Sequence, residues 1–230
     1  MLRAVLFDMG GTLDGDGEHW LDRFVRLYAG AGVVLSRDVI RKGFDHAERR
    51  AAAEAVRVSA GLGQFVRQHL AWQAECHTAG DARLLEPIAE QFISLVRAAA
   101  KRSVPVLAEL RRRGLLLGVV SNGCGNVQTL CDEFGFSPFL DCVIDSHWAG
   151  IAKPDPAIFR LALDRLGVSA ASTLMVGDSY DRDIVPAHRI GLHTAWLAGD
   201  AGALPGVADV VIGSLDALLP LFEQPERMPA

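Results

Sequence analysis

Six short apolar runs constrain this chain more than any other feature: "AVLF" at residues 4–7 and, after residue 103, the runs within "LLLGVVSN", "CVIDS", "STLMVGDS", "LHTAWLA" and "ADVVIGS". Each is apolar through its length rather than on alternate residues, as expected of strands covered on both faces. Amphipathic helical stretches separate the later five, so the pattern predicts parallel strands with helices on both sides of the sheet. The first run has the same character and is expected to join that sheet. The fold class read from this rhythm is α/β, a doubly wound parallel sheet.

Residues 15–102 interrupt the pattern. The interval is rich in Ala, Arg, Glu and Leu, its periodic stretches hold few glycines, and strand-like runs are absent. Trp20, Phe24, Leu27 and Tyr28 recur at helical spacing, as do Phe65, Leu70 and Trp72, then Leu84, Leu85, Ile88, Phe92 and Leu95. Three or four helices are expected, divided near Gly32, Gly61-Leu62-Gly63 and Gly80-Asp81. The organisation read here is a core formed by residues 1–14 and 103–230 with an inserted α-helical cap over 15–102. Trp20, Phe24, Phe65 and Trp72 fit core positions of the insert, while Asp14 and His19 stand near its first hinge. In "KPDPAIFRLALDRLG" Asp155 is placed to cap a helix, Pro156 suits its first turn and Gly167 its end, so Lys153 falls in the loop just before it.

With 230 residues, 50% hydrophobic, the chain has enough apolar surface for a sizeable core. Lys and Arg number 23 against 28 Asp and Glu, a net charge of −5, and form no block, which excludes a nucleic-acid-binding surface. "AERRAAAEAVR" and "LRRRG" read as solvated helix faces. The N-terminus enters strand-like sequence without a basic-then-apolar leader, and no apolar run approaches the roughly 18 residues of a membrane span, so a cytoplasmic protein, monomer or homodimer, without membrane contact is expected. Cys76, Cys124, Cys131 and Cys142 form no C-x-x-C pair or regular framework and are expected to be free thiols; the seven histidines show no metal-ligand spacing.

Ligands of open parallel sheets bind beyond the carboxyl ends of the strands. The polar groups there are Asp8 with Thr12, Ser121 with Asn122, and Asp178 with Asp183, joined by Lys153. Three carboxylates raise one another's pKa unless a cation offsets them, and all-oxygen ligation favours Mg²⁺. The Ser121 hydroxyl, amides of a glycine-containing turn and the Lys153 ammonium suit the oxygens of a phosphoryl group, and Asp8 is placed to attack phosphorus.

Four segments in order, "FDMGGTL", "VVSNG", "KPDPAIF" and "VGDSYDRDI", resemble the motifs of the haloacid dehalogenase superfamily, and residues 15–102 resemble its inserted helical cap on a Rossmann-like core. The resemblance spans nearly the whole chain. It implies Asp8 as nucleophile and Mg²⁺ ligand, the Gly10 carbonyl as a second ligand, Thr12 as a catalytic-loop residue that steadies the turn, and Gly11 as a substrate-binding residue. It further implies that Ser121, Asn122 and Gly123 hold the transferring phosphate, that Lys153 neutralises it and orients Asp8, and that Asp178 and Asp183 bind Mg²⁺ directly or through water. The expected activity is hydrolysis of a small phosphorylated metabolite through an aspartyl phosphate.

Position 10 departs from that pattern. Most phosphatases of the superfamily place an aspartate there that protonates the leaving oxygen; this chain has Gly10. General acid–base catalysis is worth about 10²–10⁴-fold, so its loss favours good leaving groups, acyl or aryl phosphates, unless Asp14, Asp16 or a cap residue supplies the proton. Two alternatives stay open. The 2-haloacid dehalogenases also lack an acid at this position but work without Mg²⁺; a low-turnover phospho-accepting regulatory protein would need only the acid cluster, hydroxyl and lysine. Phosphonate hydrolases add a lysine from the cap, for which Lys42 is the candidate. Asp145, Asp181, His147 and Trp148 are read as structural or solvated.

Overall fold

The computed structural model describes residues 1–54, 60–77, 82–198 and 206–223. All six apolar runs form strands: β1 (Ala4–Phe7), β2 (Leu116–Ser121), β3 (Cys142–Asp145), β4 (Thr173–Gly177), β5 (His193–Leu197) and β6 (Val210–Ile212). They make one wholly parallel sheet in the order β3-β2-β1-β4-β5-β6. Chain order runs outward from β1 to one side through β2 and β3, then resumes at β4 on the other. The reversal puts the topological switch point beside β1, where such sheets bind ligands.

Successive strand side chains alternate between two apolar layers, as the twofold strand repeat demands. Val5 and Phe7 of β1, Leu117 and Val119 of β2 and Leu174 and Val176 of β4 face one layer, which continues into the helical segment. Ala4, Leu6, Val120 and Met175 face the other, packed on Ile158, Phe159 and Ala162. The latter three belong to the helix at Ala157–Leu166, whose Gly167 ends it at φ 63° and whose Ala157 amide is taken by Asp155 Oδ1 at 2.9 Å. Pro156 sits at the cap rather than in the first turn.

Between β1 and β2 the described residues form four α-helices: α1 (Trp20–Gly30), α2 (Arg37–Ala53), α3 (Leu62–Ala74) and α4 (Ala82–Arg112). The breaks expected near Gly32 and Gly61 are present; the one at Gly80-Asp81 lies outside the described residues, as does the end of "AERRAAAEAVR". α4 continues through residue 102 to Arg112 and reaches the sheet layer with Val106, Leu107 and Leu110. Aromatic rings bind the helices together: Phe24 stacks on Phe92 at 4.2 Å, and Trp20 meets Phe92 edge-on at 4.9 Å. Two polar ties fasten the segment to the turn after β1. Buried Arg23 donates to the carbonyls of Asp14 and Gly15 and pairs with Glu18 at 2.9 Å, and Ser103 Oγ on α4 donates to Leu13 O at 2.7 Å.

The remaining α-helices among the described residues are shorter: α5 (Val127–Glu133), α6 (Ser146–Ala149), then α7 (Ala157–Leu166) described above, and α8 (Val185–Arg189). All four cysteines are free. Among the described residues no helix is long and apolar enough to cross a membrane.

Candidate active site

The floor of the site is built by backbone approach. Asp8 follows β1 directly, and its amide donates to Val176 O of β4 at 2.9 Å, which sets its side chain beside the end of that strand. Gly11 adopts φ +96°, and a Cβ there would lie 2.5 Å from Asp178 Oδ2, so only glycine permits the two loops to touch. Gly177 is excluded from bearing a side chain by the Asp183 carboxyl in the same way. Thr12 closes the contact: its Oγ1 donates to Asp178 Oδ1 at 3.0 Å and accepts the Asp178 amide at 3.0 Å.

Asp8, Asp178 and Asp183 each offer a carboxylate oxygen, and these oxygens lie within 4.8 Å of one another. Among the described residues one cation faces them. Lys153 Nζ donates to Asp8 Oδ1 at 2.5 Å and to Asp183 Oδ1 at 2.6 Å, nearly fully buried. Asn122 aims it: Oδ1 accepts the Lys153 amide at 2.7 Å while Nδ2 donates to the Lys153 carbonyl at 2.9 Å. Burial pulls the ammonium toward neutrality, but the charges of Asp183 and Asp8 outweigh it and raise its pKa. Burial, then the charges of Asp8 and Asp183, push Asp178 well above the usual carboxylate range; burial, opposed by Lys153, lifts Asp183 to about 6. Three acids against one lysine leave an excess of negative charge in a poorly hydrated place. The donor set is all hard oxygen, which fits a small divalent cation such as Mg²⁺.

Above this cluster opens a cleft of about 400 Å³. Asp8, Gly10, Ser121, Asn122, Gly123 and Lys153 line its floor, and Asp183 reaches it from the side. Gly11, Thr12 and Asp178 lie behind Asp8 rather than on the cleft surface, and the Gly11 amide donates to Asp14 Oδ1 at 2.8 Å instead of facing the cleft. Asp145 accepts from the amides of Gly125 and Val127 at 2.9 and 3.1 Å and shapes the loop after Ser121. Asp181 is exposed, and neither Lys42 nor Trp148 lines the cleft.

The opposite wall comes from the helical segment. Trp20, Phe44 and Phe65 give it an apolar surface, and His19, Glu48 and Arg49 line it as well. Trp20 and Phe65 therefore serve both the core and the cleft. Asp14 is fully buried, accepts from Trp20 Nε1 at 3.0 Å, and is raised to about 7, chiefly by burial. A Cβ on Gly10 would point at that same indole, 3.9 Å from Nε1. Three participants carried no warning in the sequence. Arg182 sits inside a motif that gives its position no role, Arg49 sits on a helix face read as solvated, and Glu48 is held by the buried pair His69–Gln73.

A parallel sheet with clustered acids, a hydroxyl and a lysine at its switch point is an arrangement suited to holding a small anionic group beside a divalent cation. Comparison with known proteins is specific. The family description of haloacid dehalogenase-like hydrolases matches residues 2–191. Haloacid dehalogenase-like hydrolase domain-containing protein 3 of Bos taurus is 36% identical over 179 residues, 71% of each chain. Phosphoserine phosphatase of Thermus thermophilus is 38% identical over 100 residues, 43% of this chain and 39% of that one. A crystal structure of a dehalogenase shares the fold with a TM-score of 0.65 over 96% of both chains at 22% identity. The chain belongs to the haloacid dehalogenase-like hydrolases.

Proposed function

We propose that the chain is a Mg²⁺-dependent phosphohydrolase that cleaves a small phosphorylated metabolite through an aspartyl phosphate on Asp8. The observation that carries this is the meeting of Asp8, Asp178 and Asp183 within 4.8 Å, with Lys153 donating to two of them. Its phosphatase-named relatives support a phosphorylated substrate. Residues 1–14 and 103–230 act as the catalytic core and 15–102 as a cap that covers the cleft.

Lys153 fixes Oδ1 of Asp8 and leaves Oδ2 with only a 3.5 Å contact from Thr12. An oxygen of Asp8 attacks phosphorus, the bond to the leaving oxygen breaks, and the leaving group departs with the electron pair. The Ser121 hydroxyl and the amides of Asn122 and Gly123 hold the phosphoryl oxygens during transfer. Water then attacks the aspartyl phosphate, freeing Asp8 and releasing phosphate and a proton. Asp8, the Gly10 carbonyl, Asp178 and Asp183 are the residues that would hold Mg²⁺, which supplies positive charge against the phosphoryl oxygens. No carboxyl at position 10 meets the leaving oxygen, so acyl and aryl phosphates are the expected substrates. Closure of the helical wall excludes water from the first step.

A screen of acyl, aryl and alkyl phosphates with and without Mg²⁺, with 2-haloacids alongside, tests the reading. Metal-dependent turnover with acyl and aryl esters ahead of alkyl esters is expected. Halide release that needs no metal, or a single stoichiometric burst without turnover, overturns it.

A further inference from the structure

Away from the acid cluster, a second set of donors meets in the same cleft. Arg182, in the helical turn Tyr180–Ile184 after β4, gives its Nε to Ser179 Oγ at 3.2 Å and brings Nη2 to 2.7 Å from His19 Nε2. His19 caps α1: its Nδ1 accepts the Leu21 amide at 3.1 Å. A neutral imidazole carries one hydrogen, so with Nδ1 accepting, that hydrogen stands on Nε2. Two N–H groups then face each other with no acceptor between them. Burial, and after it the Arg182 guanidinium, hold the His19 pKa below its ordinary value and keep the ring in this single-hydrogen form.

Neighbouring acids do not fill the gap. Glu48 is taken by His69 Nε2 at 3.0 Å, and Gln73 Nε2 lies 2.9 Å from His69 Nδ1, which fixes the hydrogen on the side facing Glu48. Arg49 also faces the cleft from α2, one helical turn after Asp45, and among the described residues neither Arg49 nor Arg182 has a carboxylate partner. Guanidinium groups without acids beside an unshared imidazole N–H suit an oxyanion, which arginine binds with paired, planar hydrogen bonds.

We infer that His19, Arg182 and Arg49 form a second anion subsite, so that the ester cleaved at Asp8 carries a carboxylate or a second phosphate on its leaving group. The inference rests on the phosphohydrolase reading for which end of the substrate reacts. Its test is a binding measurement that needs no turnover. The affinities of propylphosphonate, 3-phosphonopropionate and 1,3-propanediphosphonate are measured by calorimetry at constant free Mg²⁺, while p-nitrophenyl phosphate hydrolysis is followed separately to report on the phosphohydrolase reading alone. At least one doubly anionic ligand is expected to bind about tenfold or more tightly than propylphosphonate, the equivalent of one charge-assisted hydrogen bond. The better of the two identifies carboxylate or phosphate as the second group. In the Arg49→Gln/Arg182→Gln variant the ratio is expected to fall to about two or less, and in Arg49→Gln alone, at an exposed helix position, to fall about threefold. Equal affinities in the wild type, absence of binding, or a ratio that survives in both variants overturns the subsite.

Discussion

The floor and the wall of the cleft are held in different ways. On the floor, Asp8, Ser121, Lys153 and Asp183 are all buried, as is Thr12 behind Asp8, and each loop is locked to its neighbour by a glycine that admits no side chain or by a two-way hydrogen-bonded pair. On the wall, Asp45 and Arg49 are exposed positions on α2 that the packing of the helix does not need, although Phe44 between its neighbours is buried. Geometry at the floor is therefore tightly determined where Gly11 and Gly177 meet the acids, and a side chain at either glycine would push those loops apart. The wall can exchange charged groups while its aromatic core stays intact, so under the proposed function the chemistry is assigned to the floor and the choice of substrate to the wall.

That division breaks most sharply at Asp8. Asp8→Asn removes the nucleophile while Lys153 keeps Asp183 as partner, and phosphate release is expected to fall by about 10³-fold or more with the fold retained by circular dichroism. Gly10→Asp is expected to act in the other direction. The position has φ −76° and only Trp20 near its Cβ, at 3.9 Å, so the carboxyl fits, and turnover of an alkyl phosphate should rise by about 10²-fold, within the range of a restored general acid. No gain in initial rates would mean that another group already protonates the leaving oxygen.

Magnesium sharpens the same contrast through stability. Asp183, raised to about 6, and Asp178, also raised, cost the metal-free protein stability as pH climbs from their unfolded value of 3.8 through their folded ones. Below that range their protons compete with the cation; above it they do not. Near 100 times its dissociation constant a ligand adds about 2.7 kcal/mol, or roughly 5–10 °C in melting temperature for a chain of this size. Scanning calorimetry is expected to show that rise at pH 8 and about half of it or less at pH 5. The smallest effect belongs to the wall: Asp45→Ala should leave kcat unchanged and move KM by about threefold or less, as befits an exposed charge.

How far the sequence revealed these two regions follows from the same contrast. The strands were legible because burial on both faces demands unbroken apolar runs, and the floor was legible because close approach demands Gly11 and Gly177 beside fixed acids. Gly11 shows the limit. Its presence was clear, but its amide goes to Asp14, a bond set by the path of the turn rather than by any local pattern. Arg182 and Arg49 were not legible, because a helix-face or loop arginine has the same signature whether it meets water or a cleft. His69 was hidden for a related reason: a lone histidine at helical spacing does not announce that it grips Glu48 across to α2.

The direct measurement is a crystal structure grown with magnesium and beryllium trifluoride. The account predicts the trifluoride on an Asp8 oxygen, a cation coordinated by Asp8, Asp178 and the Gly10 carbonyl, and Lys153 on the fluorides. An Asp8 free of beryllium, with Lys153 still spanning Asp8 and Asp183 and no cation among the three acids, would contradict it.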